Sequence, residues 1–331
     1  MLKRAVTFAA LLLSSGCLYT VTWLADGTRL ACYESGGVWL VNPKGEKTLI
    51  LEAPGLDDVF LVAAPRGDRI ALAGQRDTKS FLTVFTASGK VQWTGTMTGE
   101  EWSLLPWFWS LDGKTVFFDN GAAEGKKRLA VLASGSRKPR EFGIGGDIPR
   151  FSSDGQILSL RVQPGGTAFL DRHDAKGKLR KSIPWTMPGG YPDAEPQLLS
   201  DDGEKAWFRV KAGARTILAD RSGRIIREFE GEPEVPGPVF ASAVTRKNGF
   251  TLADAGTGAE ASLNVYYNRF IHSELSSQLN DPGRADRKFN PEDVNFFPVF
   301  SPDGKSFALH GNRRLYVVNL STGAISTLAS W

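Results

Sequence analysis

Histidine, cysteine and methionine are scarce, at three, two and three in 331 residues. Two cysteines, Cys17 and Cys32, are too few for a disulfide framework. A metal centre would have to gather His173, His272 and His310 from distant parts of the chain, so none is expected. No G-x-S-x-G elbow, H-E-x-x-H or C-x-x-C occurs, which removes the hydrolase, zincin and dithiol readings that rest on them. Gly113-Lys114-Thr115 and Gly304-Lys305-Ser306 lack the glycine five positions earlier that a phosphate-binding loop needs, and they read as hairpin turns. Charge of one sign is lacking too. The formal excess is only +4, Lys3 and Arg4 supply two of it, and the other bases are dispersed among acids, which argues against a nucleic-acid surface. Long apolar runs are absent except at the N-terminus.

That exception is MLKRAVTFAALLLSSGC. Lys3 and Arg4 precede nine apolar residues, Ala5 to Leu13, and small residues lead to Cys17. This is the order of a secretory signal, and nine residues fall short of the ~20 that cross a bilayer. Gly16 ahead of Cys17 resembles the cleavage site of bacterial lipoprotein signals. The resemblance implies removal of residues 1–16 and lipidation of Cys17. With Leu18 rather than Asp next, it implies an anchor in the outer membrane, facing the periplasm. Ser14 stands where leucine is usual, with Leu13 one place further back; plain secretion is the alternative. Cys32, inside the strand-like run TRLACYES, then reads as a small core residue.

Glycine and proline are plentiful, at 36 and 18, as many turns require. One pattern accounts for much of this. FSPDGKSFALHGNRRLYVVNLSTG, from Phe300, has weaker copies around Gly27, Gly67, Gly113, Gly155, Gly203 and Gly249, with Gly304 the last of the series. The gaps are 40, 46, 42, 48, 46 and 55 residues, a period that marks a propeller or an array. Ser301-Pro302-Asp303-Gly304 fits a type I turn, with glycine ready to take a left-handed conformation. A short strand precedes the turn, an alternating strand follows, and a second turn such as LSTG or DRSG leads to a fourth strand. The expectation is an all-β propeller of four-stranded antiparallel blades. Seven blades are counted, with six and an irregular insertion as the alternative. In the sixth unit the third strand is read as SLNVYYN from Ser262. Residues 17–331 form this one domain, and its ring closes either by packing alone or by pairing of Leu18 to Trp23 into the last blade.

The turn at Ser301 to Lys305, with kin at Ser110, Ser152 and Ser200, resembles the repeat of TolB-type β-propellers. That repeat serves scaffolds, peptidase accessory domains and lyases alike, so it implies a fold and not a job. The turn Ser and Asp residues are read as structural, and no catalytic residue or cofactor is assigned.

Candidate binding residues are few. Trp107 and Trp109 share one face of a first strand, placed to stack on a sugar or to pack between blades. His310 and Arg313 give the last unit some individuality. The segment Arg269 to Val294 stretches the last gap; Ile271, Leu275 and Leu279 suggest one short amphipathic helix, and His272, Arg284 and Arg287 lie within it. Long insertions on regular scaffolds often bind. The reading is a non-enzymatic envelope lipoprotein, anchored through Cys17, whose propeller face binds an envelope protein. The alternative is a propeller that binds or cleaves polysaccharide, or takes another small molecule, in its central channel.

Overall fold

The computed structural model describes residues 20–98, 106–123, 126–142, 150–152, 154–163, 167–174, 176–191, 194–200, 202–210, 215–230, 232–236, 242–246, 250–254, 260–262, 299–311, 313–319, 322 and 324–331. Every described element is a strand, and the strands form seven four-stranded antiparallel sheets. Blade 1 is β1 (Val21–Trp23), β2 (Leu30–Glu34), β3 (Gly37–Val41) and β4 (Lys47–Glu52). Blade 2 is β5 (Asp57–Ala63), β6 (Arg69–Arg76), β7 (Lys79–Thr86) and β8 (Val91–Thr98). Blade 3 is β9 (Pro106–Trp109), β10 (Thr115–Ala123), β11 (Lys126–Ala133) and β12 (Arg140–Phe142). Blade 4 is β13 (Arg150–Phe151), β14 (Ile157–Val162), β15 (Ala168–His173) and β16 (Leu179–Trp185). Blade 5 is β17 (Ala194–Leu199), β18 (Lys205–Val210), β19 (Arg215–Asp220) and β20 (Ile225–Glu230). Blade 6 is β21 (Glu232–Pro236), β22 (Ser242–Arg246), β23 (Phe250–Asp254) and β24 (Glu260–Ser262). Blade 7 is β25 (Val299–Phe300), β26 (Ser306–Gly311), β27 (Arg314–Asn319) and β28 (Ile325–Ser330).

The core lies between blades. One buried cluster joins Leu24, Ala31 and Val38 to Leu61, Ile70 and Phe85 of the next blade. Others join blades 2 and 3, 3 and 4, 4 and 5, and 7 and 1. A second strand is therefore covered on both faces, and β2, β6 and β14 are buried over nearly their whole length. Outer strands such as β4 and β16 stay largely exposed. Cys32 is fully buried in β2, and burial pushes its thiol pKa up.

Polar turn residues explain the repeat. Ser301 C=O accepts from Gly304 N–H at 2.9 Å, and Ser301 Oγ donates to Asp303 at 2.6 Å. The same hydroxyl accepts from Ser306 N–H at 3.0 Å, while Asp303 accepts from Lys305 N–H at 3.1 Å. Ser110–Asp112 and Ser200–Asp202 repeat the set. The serine hydroxyl is the main cause that holds all three aspartates below the usual carboxylate range. At Asp26 burial opposes the shift, yet hydrogen bonds from Thr28 and Arg29 outweigh it and hold the pKa at about 2. These groups are spent on one another and on the backbone.

The second turn, between third and fourth strands, needs glycine for two reasons. Gly45, Gly89, Gly177 and Gly223 all have φ near +80°. A Cβ there would also overlap the outer part of the preceding blade: the Leu328 carbonyl for Gly45, Ile50 carbonyl for Gly89, Phe142 ring for Gly177 and Met187 carbonyl for Gly223.

The sixth blade departs from expectation. Gly249 falls between its second and third strands rather than after its first, and Ser262, expected to begin a third strand, is the last residue of the fourth, β24; the rest of SLNVYYN lies outside the described residues. The first strand is β21, which the sequence disguises with Pro233 and Pro236. Proline is tolerated there because a first strand is a sheet edge. Residues 263–298 lie outside the described residues, and with them the whole Arg269 to Val294 segment and its expected helix.

Alternating strand direction divides the molecule into two faces. The first-to-second and third-to-fourth turns share the lower face. The second-to-third turns and the connections between blades share the upper face. The chain leaves the upper face at Ser262 and returns there at Val299.

Candidate functional site

Among the described residues the ring closes without a shared strand. β1 pairs with β2 of its own blade, Val21 opposite Cys32 and Trp23 opposite Leu30, and does not extend blade 7. Closure is packing: Val21, Leu30 and Val41 meet Ala308, Leu315 and Ala329. Trp23 Nε1 donates across the seam to Val299 O at 2.9 Å. An equivalent staple joins blade 3 to blade 2, where Trp109 Nε1 donates to Val62 O at 3.1 Å. Both indoles sit four residues before a turn glycine, and both acceptors five residues before the preceding blade's turn glycine. Trp109→Phe is expected to cost about 1–2 kcal/mol by loss of this buried bond, read from the urea midpoint.

At the upper rim of the seam a polar cluster crosses from blade 7 to blade 1. His310 Nδ1 is 2.7 Å from Thr20 Oγ1. Its Nε2 faces Glu34 Oε2 at 3.2 Å, off the line of a regular hydrogen bond. Ser35 Oγ donates to Glu34 Oε1 at 2.9 Å, and Arg313 Nε stands 3.8 Å from the same oxygen. Ser35 and Arg313 each take φ above +50°, which turns the two hairpins tightly enough to bring these groups to the seam. Trp331 sets its ring edge-on to His310, 5.7 Å between centroids, and its backbone N–H donates to Arg313 O at 2.9 Å. Lys47 from blade 1 lies over the Trp331 ring at 5.0 Å and donates to Ser330 O. The two ring nitrogens thus face one partner each, Thr20 and Glu34, both on the blade 1 side of the seam. Contact with His310 is the largest cause that lowers the Glu34 pKa; burial opposes it, and Ser35 and Arg313 reinforce it.

The candidates thus separate. His310 and Arg313 come together with Thr20 and Glu34. Trp109 is buried between blades 2 and 3, 5% exposed. His173 is in blade 4, its ring between Ser159 Oγ at 3.4 Å and Gly177 O at 3.3 Å, and burial lowers its pKa. Cys17, His272, Arg284 and Arg287, and the side chain of Trp107, lie outside the described residues. Among the described residues no group of three His, Cys, Asp or Glu side chains could hold a metal ion, and no helix is long and apolar enough to cross a membrane. Thr20 and Glu34 escape sequence reading, because nothing local marks either one. The available signal is register: Glu34 is the last and His310 the penultimate residue of second strands in blades that become neighbours.

No family model matches the chain, and no curated protein matches it. Solved structures do. An uncharacterised protein from Listeria monocytogenes EGD-e is 12% identical over 96% of this chain and 95% of its own, with a TM-score of 0.56. Prolyl oligopeptidase B from Galerina marginata is 12% identical over 99% of this chain, with a TM-score of 0.53. The fold is a β-propeller. This chain matches only 53% of the oligopeptidase, about half its length. A putative TolB from Agrobacterium tumefaciens is 16% identical over 75% of this chain and 80% of its own, with a TM-score of 0.41, and nothing further rests on it. At such identities the likeness speaks to the propeller alone.

Proposed function

We propose that this propeller is a non-enzymatic lipoprotein of the bacterial cell envelope, anchored through Cys17, that offers its upper face to a protein partner. One observation carries the reading. The upper face receives both exceptional segments of the chain: the N-terminal segment enters at Thr20, and the long connection runs from Ser262 to Val299. Two residues, Leu18 and Tyr19, lie between Cys17 and Thr20, a reach of about 10 Å. A lipid on Cys17 would therefore hold the upper rim of the seam close to the membrane surface, and the partner would be a protein that works at that surface.

Labelled palmitate is expected to enter the wild type and not Cys17→Ala. Deletion of Gln278 to Asp293 is expected to keep cooperative unfolding and to remove the partner's cross-link in the envelope. An unlabelled wild type would end the lipoprotein reading. An unchanged cross-link would end the partner-face reading.

A further inference from the structure

The third blade breaks the packing rule of the second turn. Gly135 has the same left-handed backbone as its counterparts, φ 76°, but nothing lies within 4 Å of where its Cβ would be. Its turn stands away from the outer strand of blade 2. The fourth strand of blade 3 is also short: β12 begins at Arg140, opposite Val131, and leaves Leu132 and Ala133 without an outer partner. In blades 1, 2 and 5 the fourth strand pairs close to the turn, with Lys47 opposite Val41, Val91 opposite Phe85 and Ile225 opposite Ala219. The result is a groove of about 370 Å³ on the lower face, between blades 2 and 3.

Its lining has one chemical character. Arg69, Lys90, Lys114 and Arg137 line it, and no Asp or Glu does. Arg69 is fixed in place: its guanidinium donates to the Gly113 and Lys114 carbonyls at 3.2 Å each and to Ser134 Oγ. Asp112, outside the lining, keeps Oδ1 on Ser110 Oγ and Lys114 N–H. Trp93 gives the wall an aromatic side, half-buried against Phe118 with ring centroids 6.1 Å apart. Cations for an acid group and an indole for the apolar face of a ring together suit one class of ligand. We infer that this groove binds an acidic sugar unit of an oligosaccharide, carboxylated or sulfated. The site lies on the lower face, away from the polar cluster at the upper rim of the seam.

Calorimetric titration of the purified protein tests this, with tetrasaccharides of hyaluronan, chondroitin 4-sulfate and alginate, with uncharged chitotetraose, and with sodium sulfate. At least one acidic tetrasaccharide is expected to bind, and chitotetraose is not. Lys114→Gln with Arg137→Gln is expected to weaken that binding at least about tenfold and to steepen its loss with salt no further. Lys44→Gln, exposed on blade 1, is expected to leave it unchanged. Binding by none of the three acidic probes, equal binding of chitotetraose, full competition by sulfate at equal concentration, or unaltered affinity in the double variant would each overturn the inference.

Discussion

Gly89→Ala is expected to lower stability by about 3 kcal/mol or more, and Gly135→Ala by about 1 kcal/mol. Both glycines have left-handed backbones, φ 82° and 76°, so both substitutions meet the same conformational penalty. They differ in what the new methyl group would strike. At Gly89 it meets the backbone carbonyl of Ile50, in a strand that cannot move without disturbing blade 1; at Gly135 it meets open space. The difference between the two variants isolates the close approach of one blade to the next. Urea denaturation of the two proteins measures it, and equal losses would show that the second turns do not set blade spacing. Gly45→Ala is the matching case at the seam, where the obstacle is the Leu328 carbonyl.

Glu34→Gln is expected to cost about 1–2 kcal/mol near neutral pH and almost nothing near pH 3. The sign follows from the direction of the shift. Glu34 is more acidic in the folded protein than its ordinary value, chiefly through His310, so its stabilisation is present above the unfolded pKa. It is lost as the pH falls through the lower, folded value. A hydrogen-bonded charge of this kind contributes about 1.5–3 kcal/mol, and partial exposure of the rim reduces that. The turn aspartates drift the same way with acid, so the measurement is the difference between wild type and Glu34→Gln in urea at the two pH values. A constant difference would mean that the Glu34 charge does not serve the seam.

The sequence made the blades visible because each turn is a local chemical problem with few solutions. Ser301, Asp303 and Gly304 satisfy one another within five residues, and the same solution recurs at Ser110, Ser152 and Ser200. Blade 6 was misread where that local logic lapsed: β21 carries Pro233 and Pro236, and the turn glycine belongs one strand later. The seam could not be read at all from its pieces. Thr20 and His310 are 290 residues apart, and neither lies in a motif. Only His310 and Arg313 stood out, because their hairpin departs from the repeat. The groove has a faint trace, the longer stretch between Gly135 and Arg140, but its depth depends on how far one blade stands from another, which spacing along the chain does not encode.

Six of the seven junctions between blades are crossed by the polypeptide, and the seventh is held, among the described residues, by side chains and shape. No strand pairing among the described residues crosses that line. The ring is therefore fastened there by contacts that can part without breaking a sheet: the Trp23 bond, the buried apolar cluster and an imidazole between a carboxylate and a hydroxyl.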